Sequence, residues 1–466
     1  MMNKKLLAAM VAASAALTGC GSDSDSSSSS KTFLETAVEA NPRTVITAAV
    51  DNCTEFGGNL DETVCVLPSR ITATGGSFSK DVTYYLEKVT FLGYGDKELE
   101  TASDVSFLKD NPIELTIPAG TTIEGAPRSA FVVTRGAVLN AEGTEAEPVV
   151  FESADADLTG SSEWGGLVLQ GFGVSNQCPD TGICNVEGEG GVGFYAGDDN
   201  TDSSGSLEYV IVTEGGYEIS TGNELNGVGF MAVGSGTNVD YLQVNENSDD
   251  AVEFWGGAVV AKHLVLTAND DDSIDWDHGW VGGIQYAIVK QVNGDGDHVF
   301  ETDNDGDSMD NEPRSMPTIA NVTAITGGLK AAIKHREGTG AKFYNVAVVE
   351  QGTAAKCLDI DDQATADQID TGLIYTNVAL GCTTALEGDD EVSGEDFGKT
   401  LLDSQVSNVE VDATVAVDAD YVVTNANAIT TAPTIANTAI TGNTVMGAVE
   451  NAADDWFAGW TLAGSL

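Results

Sequence analysis

Five aspartates crowd into NDDDSIDWDHGW, residues 269–280, beside Ile274, Trp276 and Trp280, side chains that favour burial. Carboxylates at that density can do two kinds of chemistry. They can titrate against one another as acid and base, or they can surround a hard cation. The other concentrated candidates are His278 in DHG and the run Lys334-His335-Arg336. For His278 the plainer reading is a structural hydrogen bond, and for KHREG a turn with a charged face. No Gly-rich phosphate loop, Ser-His-Asp order or cysteine nucleophile stands out.

The run ETDNDGDSMDNE, 301–312, favours the cation. It follows the calcium-loop pattern D-x-[DN]-x-[DN]-G-x5-E. Glu301 takes the first position, Asp303 the third, Asp305 the fifth, Gly306 the sixth, Asp307 the seventh and Glu312 the twelfth. Gly306 would allow the sharp turn around an ion. Glu301 stands where aspartate is usual, Met309 cannot ligate at the ninth position, and no flanking helix is evident. The reading is therefore a calcium-loop-like insertion and not an EF-hand, with a solvated acidic loop as the alternative.

What positions these acids is a repeat. VDYLQVNENSDDAVEFWGG, 239–257, aligns with AKHLVLTANDDDSIDWDHG, 261–279, at a shift of 22 residues. Asn247 falls on Asn269, Asp249 on Asp271, Asp250 on Asp272, Val252 on Ile274, Glu253 on Asp275 and Phe254 on Trp276. A third unit begins at IQYAIVKQ, 284–291, with Tyr286 lying 23 after His263. Similar strand phrases recur at 207–214, 319–326, 343–350 and 374–380, each alternating with period two. Units of this length, built of β-branched strands and Gly/Asn/Asp turns, suit a parallel β-helix, whose stacked coils bury one continuous core. A leucine-rich repeat lacks its leucine spacing here, a propeller needs a longer period, and a sandwich needs no column-by-column matching.

Alternation then sets orientation. With Val252, Phe254, Ile274 and Trp276 pointing into the coil, Glu253, Asp275 and Glu301 form an outward column at the strand spacing of about 4.8 Å. Asp249, Asp271 and Asp297 form a second column at the adjacent turn. Unit charges so close repel by roughly 1 to 4 kcal/mol, so either some are protonated or a cation sits among them. Oxygen donors in number select calcium over transition metals. The expected ligands are Glu253, Asp271, Asp275 and Glu301 with Asp303, Asp305, Asp307 and Glu312. Trp276 belongs to the core by this parity, which leaves Trp255 and Trp280 as surfaces for a sugar ring.

Composition frames the partners. The 466 residues carry 20 Lys+Arg against 73 Asp+Glu, 53 glycines and 7% aromatics. Such a charge repels nucleic-acid phosphate and disfavours anionic lipid. The start, MMNKKLLAAMVAASAALTGC, has Lys4 and Lys5 before an apolar run too short to span a bilayer. Residues 1–19 read as a signal peptide, whose removal moves the formal charge from −53 to −55. Residues 20–31 form a serine-rich tether. Residues 32–84 form an N-terminal cap with a helical start at FLETAVEA, and 85–466 the coils, interrupted by insertions at 172–206 and 293–317. Besides Cys20 there are six cysteines, an even count that in an exported chain reads as disulfides. Of fifteen pairings, nearest neighbours give Cys53–Cys65, Cys178–Cys184 and Cys357–Cys382. Zinc is disfavoured by the spacings and by the presence of only His263, His278, His298 and His335.

Leu17-Thr18-Gly19-Cys20 resembles the lipobox of bacterial lipoproteins, which implies acylation at Cys20. Gly21 is not the aspartate that retains such proteins at the inner membrane of enteric bacteria, so the outer membrane is expected. The phrases ELTIPAGTTIEG (114–125), FVVTRGAVLNAEGTEAEPVVFES (131–153) and SSEWGGLVLQG (161–171) resemble the opening coils of pectin-lyase-like right-handed β-helices. With NSDDAVEFWGG, NDDDSIDWD, FETDNDG and the terminal DDWFAGWT (Asp454 to Thr461), the chain resembles, over 85–466, a group of bacterial surface lipoproteins of that fold, most without an established activity. The resemblance implies an all-β, right-handed parallel β-helix, lipid-anchored at the outer membrane on its periplasmic face or at the cell surface. It implies little about activity; with the acidic face, the expected role is binding or adhesion, to polysaccharide or an outer-membrane assembly, and the net charge excludes nucleic acid. The rival is a polysaccharide lyase or glycoside hydrolase on the acidic face. A carboxylate pair about 5 to 9.5 Å apart would serve a hydrolase, and Lys334 or Arg336 a lyase base, with Asp275 and His335 as the remaining catalytic candidates. The N-T-D, G-H-G and R-I-K signatures of β-helix glycosidases and lyases are missing from their places.

Overall fold

The computed structural model describes residues 31–46, 53–155, 159–179, 182–219, 224–292, 294, 296–327, 330–352, 356–386, 394–404 and 408–466. The expected signal peptide, Cys20 and nearly all of the expected tether lie outside the described residues. The compact unit runs from Thr32 to Leu466.

The chain is an all-β parallel β-helix. Each coil lays strands on two walls. The shorter-stranded wall, sheet II, has 11 strands ordered in space as in sequence. Its central members are Leu167–Gln170, Val228–Met231, Val252–Trp255, Ile274–Asp277, Phe300–Thr302, Ala331–His335 and Lys356–Ile360, all parallel. The opposing wall, sheet I, has 16 strands. Its middle strands are longer, among them Gly205–Thr213, Asn238–Asn245, Val260–Thr267, Gly283–Lys290, Thr318–Thr326, Ala341–Glu350 and Leu373–Gly381.

Each of these long strands bends at one left-handed residue. Tyr209, Tyr241, His263, Tyr286, Asn321, Asn345 and Asn377, with Asn408 just before the short strand Val409–Val411, all have φ between 48° and 64°, and the parallel register stacks them in one column. The bend splits each long strand into two faces and makes the coil three-sided. Non-glycine residues adopt this conformation at a cost, least for asparagine. The column offsets the cost in two ways. Its first four rings stack, with centroids 4.3, 4.4 and 5.0 Å apart. Its asparagines bond along the stack: Asn377 Nδ2 donates to Asn345 Oδ1 at 2.9 Å and Asn408 Nδ2 to Asn377 Oδ1 at 3.2 Å.

The 22-residue alignment is the sheet register itself: Val252 pairs with Ile274, Glu253 with Asp275 and Phe254 with Trp276. Val252, Phe254, Ile274, Trp276 and Phe300 are fully buried in the coil interior. The three expected disulfides are all formed.

Three boundaries differ from the expectation. Coil stacking begins before residue 85, because Val64–Val66 pairs with Thr83–Leu86 and Arg70–Ile71 with Thr90–Leu92. These strands are too short for alternation to reveal them. The helical start is present as Phe33–Ala40, capped reciprocally by Thr32 and Glu35. At the other end, coil pairing stops at Val409–Val411. Residues 412–466 add no coil. They return across the outside of sheet I, where Thr441 bonds Gln285, Asn443 bonds Asn321 and Asn345, and Trp456 and Trp460 set their edges against His263, Tyr241 and Tyr209. The DDWFAGWT phrase is thus a clasp on the ring stack and not a coil. Within 293–317, Phe300–Thr302 is itself a sheet II strand, so the inserted loop proper is 303–317.

Candidate functional site

The acids occupy the outer face of sheet II. Its strands alternate, so with Val252 and Phe254 inside, Glu253 and Trp255 face out. The register then builds one column: Gly229, Glu253, Asp275, Glu301, Lys334 and Asp359. Neighbours stand about 4.8 Å apart. Asp277, Asp303, Arg336 and Asp361 continue beside it, through backbone bonds from Asp303 N to Trp276 O, Arg336 N to Thr302 O and Asp361 N to His335 O.

The face has two halves. In the later half cations answer the acids. Arg336 Nε reaches both oxygens of Asp303 at 2.8 and 2.9 Å, and its Nη2 reaches Glu301 at 2.9 Å. Lys334 Nζ sits 3.2 Å from both Asp359 and Asp361. In the earlier half, no described cation ion-pairs with Asp250, Glu253 or Asp275. Asn226 Nδ2 donates to Glu253 at 2.7 Å, and the Asp272 amide donates to Asp250 at 3.0 Å.

This face points out of the coil but not into water. The 172–206 insertion lies over it, and Tyr195, Val192 and Cys184 pack with Trp255, Met231, Val168 and Val132 in a second apolar cluster. Tyr195 Oη meets His278 Nδ1 at 3.0 Å, and His278 Nε2 meets Asp277 at 3.1 Å. Under this cover Glu253 and Asp275 are each only 9% exposed. Burial is accordingly the main force on their protons. It raises Asp275, Glu253 and Asp250 well above the carboxylate range, and the surrounding like charges raise them further. Burial and Asp272 push Asp271 up to about 7, and burial with Glu224 pushes Asp249 up to about 6. Burial takes His278 down to about 4.

One carboxylate oxygen each from Asp250, Glu253 and Asp275 lie within 4.8 Å of one another, and so do one each from Asp249, Asp250 and Asp271. Asp250 belongs to both groups. A third group joins Asp272, His298 and Glu301. Asp275 Oδ1 is buried with no hydrogen-bond partner. A buried carboxylate oxygen left unpaired costs about 1–3 kcal/mol or more, unless it is protonated or faces a cation. An all-oxygen donor set with one orphaned ligand fits calcium, and the first two groups supply it.

Of the predicted ligands, Glu253, Asp271, Asp275 and Glu301 enter these groups. Asp303, Asp305, Asp307 and Glu312 enter no such group among the described residues. Asp303 is held by Arg336. Asp305 folds the loop on itself, accepting from the amides of Asp307 and Ser308 and from Asn311 Nδ2. Asp307 and Glu312 are exposed. Gly306 does not have positive φ, and what a side chain there would meet is the Glu337 carboxylate, 2.8 Å from its Cβ. The linear pattern is therefore a loop closed by its own amides. Asn304, buried behind it, ties the loop to Asn176 of the other insertion.

The catalytic candidates are placed as follows. His335 points into the core between Thr302 Oγ1, 2.7 Å, and the Tyr375 hydroxyl, 2.9 Å, and burial takes it down to about 3. Lys334 and Arg336 are ion-paired. Burial works to lower Lys334, but Asp359 and Asp361 outweigh it and hold the ammonium above its ordinary value. Trp164 and Trp280 are fully buried and Trp255 nearly so. Trp280 stacks on Phe254 at 4.0 Å inside the coil, so neither Trp255 nor Trp280 offers an open sugar platform. Sequence reasoning omitted Asp250 as a ligand although the repeat had aligned it with Asp272. It also missed Asp359, Asp361 and Tyr195, whose column or cover no local pattern signals.

The model of the pectate-lyase-like beta helix domain family matches residues 102–461. The chain belongs to that family. No curated protein and no solved structure matches it.

Proposed function

We propose that this member of the pectate-lyase-like β-helix family is an exported, lipid-anchored outer-membrane protein that binds calcium under its 172–206 insertion and works by binding, not catalysis. The observation that carries the reading is the trio Asp250, Glu253 and Asp275, ion-paired to no described cation, with Asp275 Oδ1 buried and unsatisfied. An ion there would relieve the repulsion and lock the insertion over sheet II. Three disulfides support an oxidising compartment. Lys334 and Arg336 are captured by carboxylates and His335 by the core, so none of these three candidates is a free base beside the trio. The partner is a polysaccharide or an outer-membrane assembly, met through the loops that cover this face.

The test is a calcium titration followed by thermal unfolding, run beside a panel of acidic and neutral polysaccharides. A rise in Tm with calcium, with every polymer left uncut, supports the reading. Release of unsaturated products or reducing ends, lost in Lys334→Ala or Asp275→Asn, replaces it with a lyase or hydrolase. A Tm indifferent to calcium removes the ion from it.

A further inference from the structure

We propose a second divalent-cation site, formed by Asp155, Glu163 and Glu214, that pins the arm ending at Trp164 to the side of the coil. It shares no residue with the trio on sheet II. One carboxylate oxygen from each of these three residues lies within 4.8 Å of the other two. Glu214 is 1% exposed, and its Oε1 is buried with no hydrogen-bond partner. Its other oxygen accepts from the Ser153 amide at 3.0 Å. One oxygen is thus fixed by the backbone, and the other is left for something absent from the protein's own hydrogen-bond set.

The surroundings are built, not incidental. Trp164 is fully buried and donates from Nε1 to the Thr213 carbonyl at 2.8 Å. Gly125 makes its seat: a Cβ there would stand 2.7 Å from the indole. With Trp164 anchored, the Glu163 amide bonds the Glu214 carbonyl at 3.0 Å and the Ser162 amide bonds Gly215 at 2.7 Å. Ser153 Oγ donates to Glu163 at 2.5 Å. Both glutamates are therefore held by the same serine, one by its amide and one by its hydroxyl.

The electrostatics point the same way. Glu214 is pushed up to about 7, first by burial and then by Glu163, Glu152 and Asp155, against the Ser153 bond. Glu152, beside Glu124 in the register, is likewise pushed up to about 7 by burial and by Glu124. The charges that raise Glu214 are carboxylates: Glu163, Glu152 and Asp155. Hard oxygen donors of one sign, one of them buried and unsatisfied, suit a calcium-like ion that completes its shell with water.

The experiment counts calcium ions bound to the full mature chain by equilibrium dialysis in an Asp275→Asn background that also carries Asp250→Asn, so that both oxygen groups of sheet II lose a ligand. This site then predicts one residual ion, lost in Glu214→Gln and in Glu163→Gln, with far-ultraviolet circular dichroism confirming that both variants fold. Glu163 is only partly buried, so its variant stands in should Glu214→Gln fail to fold. No residual ion in that doubly substituted chain, or a residual ion retained in both glutamine variants, overturns the second site. Failure of the sheet II site alone reads differently: the doubly substituted chain would then bind as many ions as the parent, while Glu214→Gln would still lose one.

Discussion

Lys334 stands next to Glu301 in the parallel register of sheet II, yet its ammonium turns the other way, to Asp359 and Asp361. Glu301 is met instead by Arg336. The effect is a boundary. Beyond Glu301, Asp303, Asp359 and Asp361 have basic partners, and before it Asp250, Glu253 and Asp275 ion-pair with no described cation.

Asp275 lies on the unpartnered side. Asp275→Asn removes a buried carboxylate that resists ionisation, and the calcium-free protein becomes more stable by about 1–3 kcal/mol. The same change abolishes most of the calcium-dependent gain. Thermal unfolding in chelator and in calcium reads both effects, and a variant destabilised in chelator contradicts the first.

Arg336 serves two acids at once. Arg336→Ala leaves Asp303 and Glu301 buried without their cation and costs roughly 2–4 kcal/mol, less than a fully buried pair because the guanidinium is partly exposed. Adding Asp303→Asn restores part of the loss. A double-mutant cycle by chemical denaturation gives the coupling, and strictly additive losses would sink it.

Stability should fall with rising pH when the ion is removed. Asp271, Asp277, Glu152, Glu189 and Glu214 are each pushed up to about 7, chiefly by burial. A carboxyl raised in the folded chain contributes stability that is complete below its unfolded value, about 4, and is lost as pH climbs through the folded one. His278 and His335, taken down by burial to about 4 and 3, act oppositely. Their contribution is present above about 6.5 and lost as pH falls. The carboxyls outnumber the imidazoles, so Tm in chelator declines from pH 5 to pH 7.5, and calcium flattens the decline. A Tm that rises over that range in chelator contradicts the assignment.

Trp460 closes a cluster with Ile211 and Val265, edge-on to Tyr209 and Tyr241. Trp460→Ala costs about 3–5 kcal/mol at that contact, paid by release of the terminal segment and not by the coils. Limited proteolysis should then cut within 436–466 while the sheets resist. A digestion pattern unchanged from the parent contradicts this role.

Much of the fold was legible. Matching Asn247 to Asn269 and Phe254 to Trp276 amounts to writing down the sheet register, because a solenoid repeats its geometry with its sequence. The offset from His263 to Tyr286 likewise marks one ring stacked on the next. Alternation also told inside from outside correctly at Glu253 and Asp275. It could not tell outside from exposed, because the cover comes from Tyr195 and its neighbours, some 60 residues earlier in the chain than Glu253. The 301–312 loop misled for a related reason. Spacing along the chain says which carboxylates are near, not whether Asp305 is already occupied by the amides of Asp307 and Ser308. Lys334 joins the column only once the 303–317 loop is counted out. The segment after Val411 lost its period because it has no core of its own to alternate against.

That segment also decides how the molecule yields to force. Its last residues, Trp460 to Leu466, end against Ile211 and Gln243 and not beside the final coil at Val409–Val411. A pull on the carboxyl terminus is therefore taken up first by one strap peeled contact by contact from the wall, Gln243 and the tyrosine rings before the asparagines. The stacked turns are loaded only after the strap has gone.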